Sequence, residues 1–163
     1  NFGPLQTTAV ADAAIKEVDK LAAARKITIE NSTAAATLVG DGDSLTQLLV
    51  ILLDNAIKYS PPGTSVTLSG QQNDEQTTFS VIDYGTGIER AELERVFDRF
   101  YRADNSRTKG DSTEGFGLGL SIAKMIVDVH GGTITLKSRA GHGTTATVIL
   151  PRLEPDDQTV ASE

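Results

Sequence analysis

The feature of this sequence that most constrains its fold is a pair of hairpin-like patterns, one in the middle of the chain and one near its end. Polar and apolar residues alternate over Ser65–Gly70 and again over Thr77–Asp83, with a polar loop between them. Thr133–Ser138 and Thr144–Leu150 repeat the arrangement around a Gly141–Gly143 turn. Alternation with a period of two indicates strands with one buried face, and short connections make neighbouring strands antiparallel. We therefore expect a mostly antiparallel sheet.

Other segments carry helical periodicity or helix end signals. The predicted helices are Val10–Arg25, Ser44 to about Tyr59, a short one around Ala91–Phe97, and about Gly119–His130. Ser44 and Gln47 have capping-box spacing, so the second helix is expected to begin at Ser44, after a turn at Asp41–Ser44. Short strands are expected at Lys26–Glu30 and Thr37–Gly40. About three helices on one face of a mixed sheet make an α/β, or α+β, two-layer sandwich.

The chain of 163 residues is the size of one domain. Residues 1–8 resemble a linker or a cut end, residues 9–152 form the expected domain, and residues 153–163 form an acidic polar tail expected to be disordered. The longest aliphatic run, Leu48–Leu53, is far shorter than the ~20 residues of a membrane helix. Nothing at the N-terminus has the pattern of a signal peptide.

Composition excludes several classes of function. The formal net charge of -7 argues against a nucleic-acid partner, because phosphate backbones favour a basic face. The chain has no cysteine, which rules out disulfides, thiol catalysis and cysteine zinc sites. Its two histidines, His130 and His142, are too few for a histidine metal cluster.

The second helix carries Asn55, Lys58 and Tyr59 near its end. Residues three and four apart share one helix face, so an amide oxygen, an ammonium group and an aromatic ring converge there. That trio suits a metal ion, a phosphate and a planar base. The alternative is that Asn55 only helps to end a core helix and that Lys58 is solvated.

A second candidate element, Asp83 to Ile88 with Gly85 and Gly87, ends a predicted strand. An ionised carboxylate only accepts hydrogen bonds, so Asp83 could bind an exocyclic amine and prefer adenine to guanine. The glycines permit close approach of the backbone. The alternative is an Asp-Gly turn that satisfies its own backbone.

Two further elements flank a long polar segment, Tyr101–Gly115. Before it, Arg99 and Arg102 offer planar forks of donors for a phosphate, although the same stretch could be a helix end held by two Phe rings. After it, the glycines of Gly115–Leu120 lead into a helix whose N-terminus favours anions. A glycine pattern of this kind is weak alone. A loop of such length in a compact domain is typical of a lid.

In this order and spacing, and with Gly141–Thr144 as a fifth element, these segments resemble the N, G1, F, G2 and G3 boxes of the ATP-binding domain of bacterial sensor histidine kinases. The superfamily is shared with DNA gyrase and MutL. The resemblance covers about residues 10–152. It implies a Bergerat-type sandwich that holds ATP and Mg2+ between its helices and a flexible lid.

The resemblance also implies individual roles. Asn55 would coordinate magnesium, and with it Lys58 and Arg99, which contact phosphates, would be the catalytic residues. Asp83 would bind the adenine amine and Tyr59 would pack near the base. The residues implied to contact the nucleotide are Asn55, Lys58, Tyr59, Asp83, Gly85, Gly87, Ile88, Arg102, Gly115, Gly117, Leu118, Gly119, Leu120 and Thr144.

In that family the γ-phosphate passes to a histidine of a separate helical dimerisation domain and then to a response regulator. Neither His130 nor His142 fits the phosphoacceptor: the first reads as a structural cap at a helix end and the second lies in a turn. The chain alone is therefore expected to be monomeric and not to autophosphorylate. The resemblance implies a homodimeric parent, a sensor in the cell membrane with this domain in the cytoplasm.

One position departs from the family pattern. Many relatives carry a polar residue one helical turn before the magnesium-binding Asn, and here that residue is Ile51. In the hydrolysing branch a Glu there activates water, so Ile51 favours phosphotransfer over hydrolysis. The alternatives are a nucleotide-sensing pseudokinase, an anti-sigma-factor serine kinase or MutL-like ATPase, and a sandwich with coincidental glycines.

Overall fold

A computed structural model describes residues 1–93, 95–98, 119–139 and 141–153. Seven strands and four helices lie within these ranges. The strands are β1 (Phe2–Gln6), β2 (Thr28–Thr33), β3 (Thr37–Asp41), β4 (Ser65–Gln72), β5 (Gln76–Asp83), β6 (Thr133–Ser138) and β7 (Thr144–Pro151). The helices are α1 (Thr7–Ala24), α2 (Gly42–Lys58), α3 (Arg90–Leu93) and α4 (Gly119–Val129).

The main sheet has five strands in the order β2-β4-β5-β7-β6. β2 pairs with β4 in parallel, and the other three pairs are antiparallel. Both predicted hairpins, β4–β5 and β6–β7, are present. The expected mixed, mostly antiparallel sheet is therefore confirmed.

The core lies between one face of this sheet and the helices α1, α2 and α4. Burial alternates along β5, so that Phe79 and Val81 point into the core while Ser80 between them is partly exposed. α2 is the central helix, and its residues Leu48, Leu49 and Leu53 are buried. Burying a leucine contributes about 1.5–3 kcal/mol, so α2 is firmly fixed on the sheet. This confirms the two-layer sandwich.

The N-terminal residues differ from the linker expected of residues 1–8. Phe2–Gln6 form β1, which pairs antiparallel with β3, and Thr7 begins α1. The Phe2 ring stacks on the imidazole of His130 with centroids 4.6 Å apart. β1 contains Gly3 and Pro4 and lacks the polar–apolar alternation from which a strand is predicted. Its partner strand, β3, is remote in sequence. Pro4 is tolerated because β1 has a neighbour on one side only.

The start of α2 also differs from the prediction. The helix begins at Gly42 instead of Ser44, with Asp41 as the residue that precedes its first turn. The Ser44 hydroxyl donates a 2.6 Å hydrogen bond to Asp41 Oδ2. Asp41 thus occupies the N-cap position and is joined to the first turn through the Ser44 side chain, without a side-chain cap bond to the helix backbone, and the predicted turn over Asp41–Ser44 is the first turn of the helix.

His130 follows the last residue of α4 and is buried. Its Nε2 accepts a hydrogen bond from the Asp41 N–H at 3.1 Å, and its Nδ1 lies 2.8 Å from the Ile126 carbonyl oxygen. The ring therefore joins α4 to the β3–α2 connection, which agrees with the structural role expected of it. The tail over residues 154–163 lies outside the described residues.

Candidate functional site

Three chain segments meet at one end of the sandwich: the end of α2, the loop after β5 and the turn between β6 and β7. A Cβ at Gly85 would overlap the carbonyl oxygen of Tyr59, the residue that follows α2. A Cβ at Gly143 would overlap the carbonyl oxygen of Asp83. The Gly141 N–H donates a 2.6 Å hydrogen bond to the Thr86 carbonyl. Gly85 and Gly143 are required here because backbones touch where their side chains would otherwise stand.

Asp83 is the carboxylate at the centre of this junction. It is the last residue of β5 and is only 8% exposed. Its Oδ1 accepts hydrogen bonds from the Gly85 N–H at 2.9 Å and the Thr144 N–H at 3.2 Å. Among the described residues, both bonds end on Oδ1, which leaves Oδ2 able to accept from a ligand.

The electrostatics of Asp83 follow from this burial. Removal from water raises the pKa of the Asp83 carboxyl, and the amides of Gly85 and Thr144 oppose that shift. A carboxylate kept in a cleft with little water gains more from a ligand donor than an exposed one does. The geometry suits recognition of an N–H group.

Of the residues predicted on α2, Tyr59 contacts the junction directly through its carbonyl oxygen, and the residue is 40% exposed. Its N–H donates to the Asn55 carbonyl at 3.2 Å, so the partly buried Asn55 lies one helical turn away. The Lys58 ammonium lies 2.9 Å from Asp54 Oδ2, and its side chain is 15% exposed. The structure therefore does not leave Lys58 freely solvated.

Ile51 contacts the start of α4. A Cβ at Gly119 would come 3.4 Å from Ile51 Cγ2, which is ordinary contact. Ile51 and the predicted site residue Leu120 are both partly buried against the core. The apolar residue at the position where many relatives are polar thus contributes to the packing of α2 against α4.

Ser138 is a polar residue of the junction that was not predicted. It ends β6 and stands in register with Thr144, which in turn stands in register with Asp83. The sequence signal was positional: Ser138 is the last residue of a predicted strand, across the glycine turn from Thr144. Nothing in its residue type separates it from the other serines.

Several predicted features lie outside the described residues: Arg99, Arg102, Gly115, Gly117, Leu118 and the lid segment Tyr101–Gly115. Within the described ranges, no three His, Cys, Asp or Glu side chains gather as a metal site. None of the helices in those ranges is long and apolar enough to cross a membrane.

The sequence profile described as histidine kinase-, DNA gyrase B-, and HSP90-like ATPase matches residues 40–154, more than half of the chain. The sensor protein SrrB of Staphylococcus aureus is 44% identical over 114 residues, covering 70% of this chain. This chain spans only 19% of the length of SrrB.

Solved structures share the fold. The mycobacterial sensor histidine kinase MprB has a TM-score of 0.80 at 30% identity, covering 93% of this chain and 98% of its own. Full-length ShkA in complex with AMPPNP has a TM-score of 0.80 at 23% identity, covering 95% of this chain and 32% of its own. At that lower identity the second likeness concerns the fold alone.

The chain therefore belongs to the family of histidine kinase-, DNA gyrase B- and HSP90-like ATPases. Within this family it is the ATP-binding catalytic domain of a sensor histidine kinase of a two-component system, as the ordered boxes predicted.

Proposed function

We propose that this domain binds ATP with Mg2+ and donates the γ-phosphate to a histidine of a separate dimerisation domain. The observation that carries the proposal is the Asp83 carboxylate, buried at the junction and held through Oδ1 by the amides of Gly85 and Thr144. An acceptor fixed in this way selects an adenine amine over a keto oxygen.

The proposed metal site uses Asn55. An amide oxygen is a hard ligand of the kind that Mg2+ accepts, and Mg2+ usually keeps several waters and takes further oxygens from phosphates. One protein ligand is therefore compatible with the lack of a three-residue His, Asp and Glu cluster among the described residues. When bound, the metal ion would neutralise phosphate charge.

The catalytic roles proposed for the other residues concern phosphate charge and position. Lys58 lies three residues beyond Asn55 on the same helix, with its ammonium oriented by Asp54. Arg99 is proposed to offset charge on the γ-phosphoryl group, and the segment from 101 to 115 to close over ATP, with the Gly115–Gly119 segment as its hinge. Transfer of a phosphoryl group depends mostly on such positioning and charge neutralisation.

In the proposed reaction, a histidine nitrogen of the dimerisation domain attacks the γ-phosphorus, the bond to the bridging oxygen breaks, and ADP leaves. Ile51 offers no carboxylate to activate water, which favours transfer over hydrolysis. A response regulator would then take the phosphoryl group. The parent is proposed to be a homodimeric membrane sensor with this domain in the cytoplasm, and the isolated domain to be monomeric and unable to phosphorylate itself.

Calorimetry of the isolated domain tests the binding step. We expect magnesium-dependent ATP binding that Asp83→Asn weakens about 10- to 100-fold, as loss of a hydrogen bond to a charged group would. Asp19→Asn is a matched control on an exposed part of α1. Equal ATP affinity of Asp83→Asn and the native chain would contradict the adenine assignment.

A second assay tests the transfer. The domain is joined to its dimerisation helices and incubated with γ-labelled ATP. Acid-labile, alkali-stable label on the helices is the expected product. ATP binding without such label would indicate a regulatory nucleotide sensor, and steady phosphate release by the isolated domain would indicate an ATPase.

A further inference from the structure

The Ser138 hydroxyl lies at the meeting point of three hydrogen bonds. The Ile88 N–H approaches Ser138 Oγ at 2.6 Å, the Gly143 carbonyl oxygen lies 2.9 Å away, and Thr144 Oγ1 lies 2.8 Å away. Ile88 belongs to the loop that follows Asp83, whereas Gly143 and Thr144 belong to the turn between β6 and β7. One hydroxyl therefore joins two of the three segments of the junction.

The valences of these groups determine where each proton lies. A hydroxyl has one proton to donate and two lone pairs to accept with. The Gly143 carbonyl can only accept, so it takes the Ser138 proton, and the Ile88 amide can only donate. The remaining lone pair of Ser138 Oγ is then matched only if Thr144 donates its own proton to Ser138.

This assignment fixes the character of Thr144 Oγ1. With its proton committed to Ser138, it presents only lone pairs to a ligand. Thr144 stands directly across the strand pair from Asp83, whose Oδ2 is likewise an acceptor. Acceptors on two paired residues of the same sheet face favour a ligand amine, and they repel a keto oxygen that also has only lone pairs.

We propose that Ser138 is a positioning residue that sets the base specificity of the nucleotide site. It acts through Thr144, by keeping the threonine hydroxyl in its accepting orientation, and through Ile88, by holding the loop after Asp83. This inference rests on the proposed adenine-binding role of Asp83 and Thr144.

Removal of the Ser138 hydroxyl frees the Thr144 proton to rotate toward the ligand. In Ser138→Ala, Thr144 could then donate to the keto oxygen of hypoxanthine, the base of inosine triphosphate. We expect the ratio of ITP to ATP dissociation constants to fall about 5- to 10-fold, the effect of one neutral hydrogen bond. Ser138→Thr keeps a hydroxyl and is expected to restore the ratio.

The test measures calorimetric affinities of ATP and ITP, with Mg2+, for the native chain and the variants, and follows their thermal unfolding. Ser80→Ala is the matched control, because Ser80 is partly exposed on the opposite face of the same sheet. It should leave the ITP to ATP ratio unchanged. A Ser138→Ala variant that weakens both nucleotides equally has only a structural defect and overturns the inference.

Thr144→Val keeps the test decisive if Ser138→Ala does not fold. Since Ser138 acts through the Thr144 hydroxyl, Thr144→Val should lower the ratio as well, and Ser138→Cys in the Thr144→Val background should lower it no further. An unchanged ratio in Thr144→Val overturns the inference alone. A native chain that does not prefer ATP to ITP overturns the proposed adenine site, and the inference with it.

Discussion

Asp83 and Asp41 are each the last residue of a strand, yet their surroundings give them opposite properties. Asp41 is partly exposed, and the Ser44 hydroxyl, as the largest cause, holds the pKa of its carboxyl below the ordinary value. Asp83 is buried, and burial raises the pKa of its carboxyl. The Asp41 interaction stabilises the start of a helix. Burial of the Asp83 carboxylate instead costs folding free energy and leaves the group available to a ligand, which is typical of functional sites.

The largest effect on stability is expected from placing a side chain into the close backbone contact between Gly143 and Asp83. Gly143 has φ of 85°, and a Cβ there would overlap the Asp83 carbonyl oxygen. We expect Gly143→Ala to lower the free energy of unfolding by about 2–4 kcal/mol, from the strained conformation plus the overlap. Chemical denaturation measures this loss.

Gly63→Ala is the matched control for Gly143→Ala. Gly63 has φ of 89°, but no atom lies within 4 Å of the position of its Cβ. Its replacement should cost only the backbone strain, about 1–2 kcal/mol. Equal losses in the two variants would show that the contact between Gly143 and Asp83 is unimportant for stability.

Exchanging the two aspartates for neutral residues should separate stability from binding. Asp41→Ala should lower the free energy of unfolding by about 0.5–1 kcal/mol, from loss of the hydrogen bond with Ser44 and of a negative charge at the helix N-terminus, and leave ATP affinity unchanged. Asp83→Asn should weaken ATP without lowering stability, because it removes a buried charge. Denaturation and calorimetry on both variants measure this. A fall in ATP affinity in Asp41→Ala would contradict the purely structural role assigned to Asp41.

The smallest expected effects are two pH dependences of stability, which have opposite signs for Asp83 and Asp41. The raised pKa of Asp83 means that the folded state binds the extra proton more tightly, so its stabilising contribution falls as pH rises from the ordinary aspartate pKa through the raised one. The lowered pKa of Asp41 makes its contribution fall as pH drops from the ordinary value through the lowered one.

Thermal unfolding against pH distinguishes the two groups. Asp83→Asn should remove the loss of stability on the alkaline side of the ordinary pKa, and Asp41→Asn the loss on its acidic side. Slopes of the same sign for both residues would contradict the assigned environments. Ser44→Ala should reproduce part of the Asp41→Asn change, because Ser44 supplies the hydrogen bond.

The parts of the fold that were predictable are those set by local sequence. β6 has the predicted bounds, and β7 extends only one residue further, because a glycine turn and clean alternation specify the hairpin. Local sequence does not predict β1, because its partner, β3, is more than thirty residues away and supplies pairing that no local pattern encodes. The start of α1 was placed three residues late for a similar reason. Its first residue, Thr7, bonds to Ala34 and Ala36 across the chain.

The residues of the site were predictable from the sequence, but the hydrogen bonds between them were not. The order of the boxes indicated Asp83 and Thr144, and the structure places them in hydrogen-bond contact across 61 residues. The role of Ser138 depends on the register of β6 with β7 and on the approach of the Ile88 amide, which a list of residue types cannot supply. The same holds for Asp41, because Ser44 had equal claim to the capping position.

The backbone origin of the contacts to Asp83 has a consequence for inhibitor design. The groups that hold the carboxylate are main-chain amides, and glycines occupy the two positions where a side chain could intrude. A compound that donates a hydrogen bond to Asp83 Oδ2 would therefore contact a carboxylate that Asp83→Asn can alter only with loss of ATP affinity, beside backbone positions that a side chain cannot enter without destabilising the domain. Resistance that spares ATP binding would have to arise at exposed side chains beside the junction, such as those of Tyr59 and Tyr84.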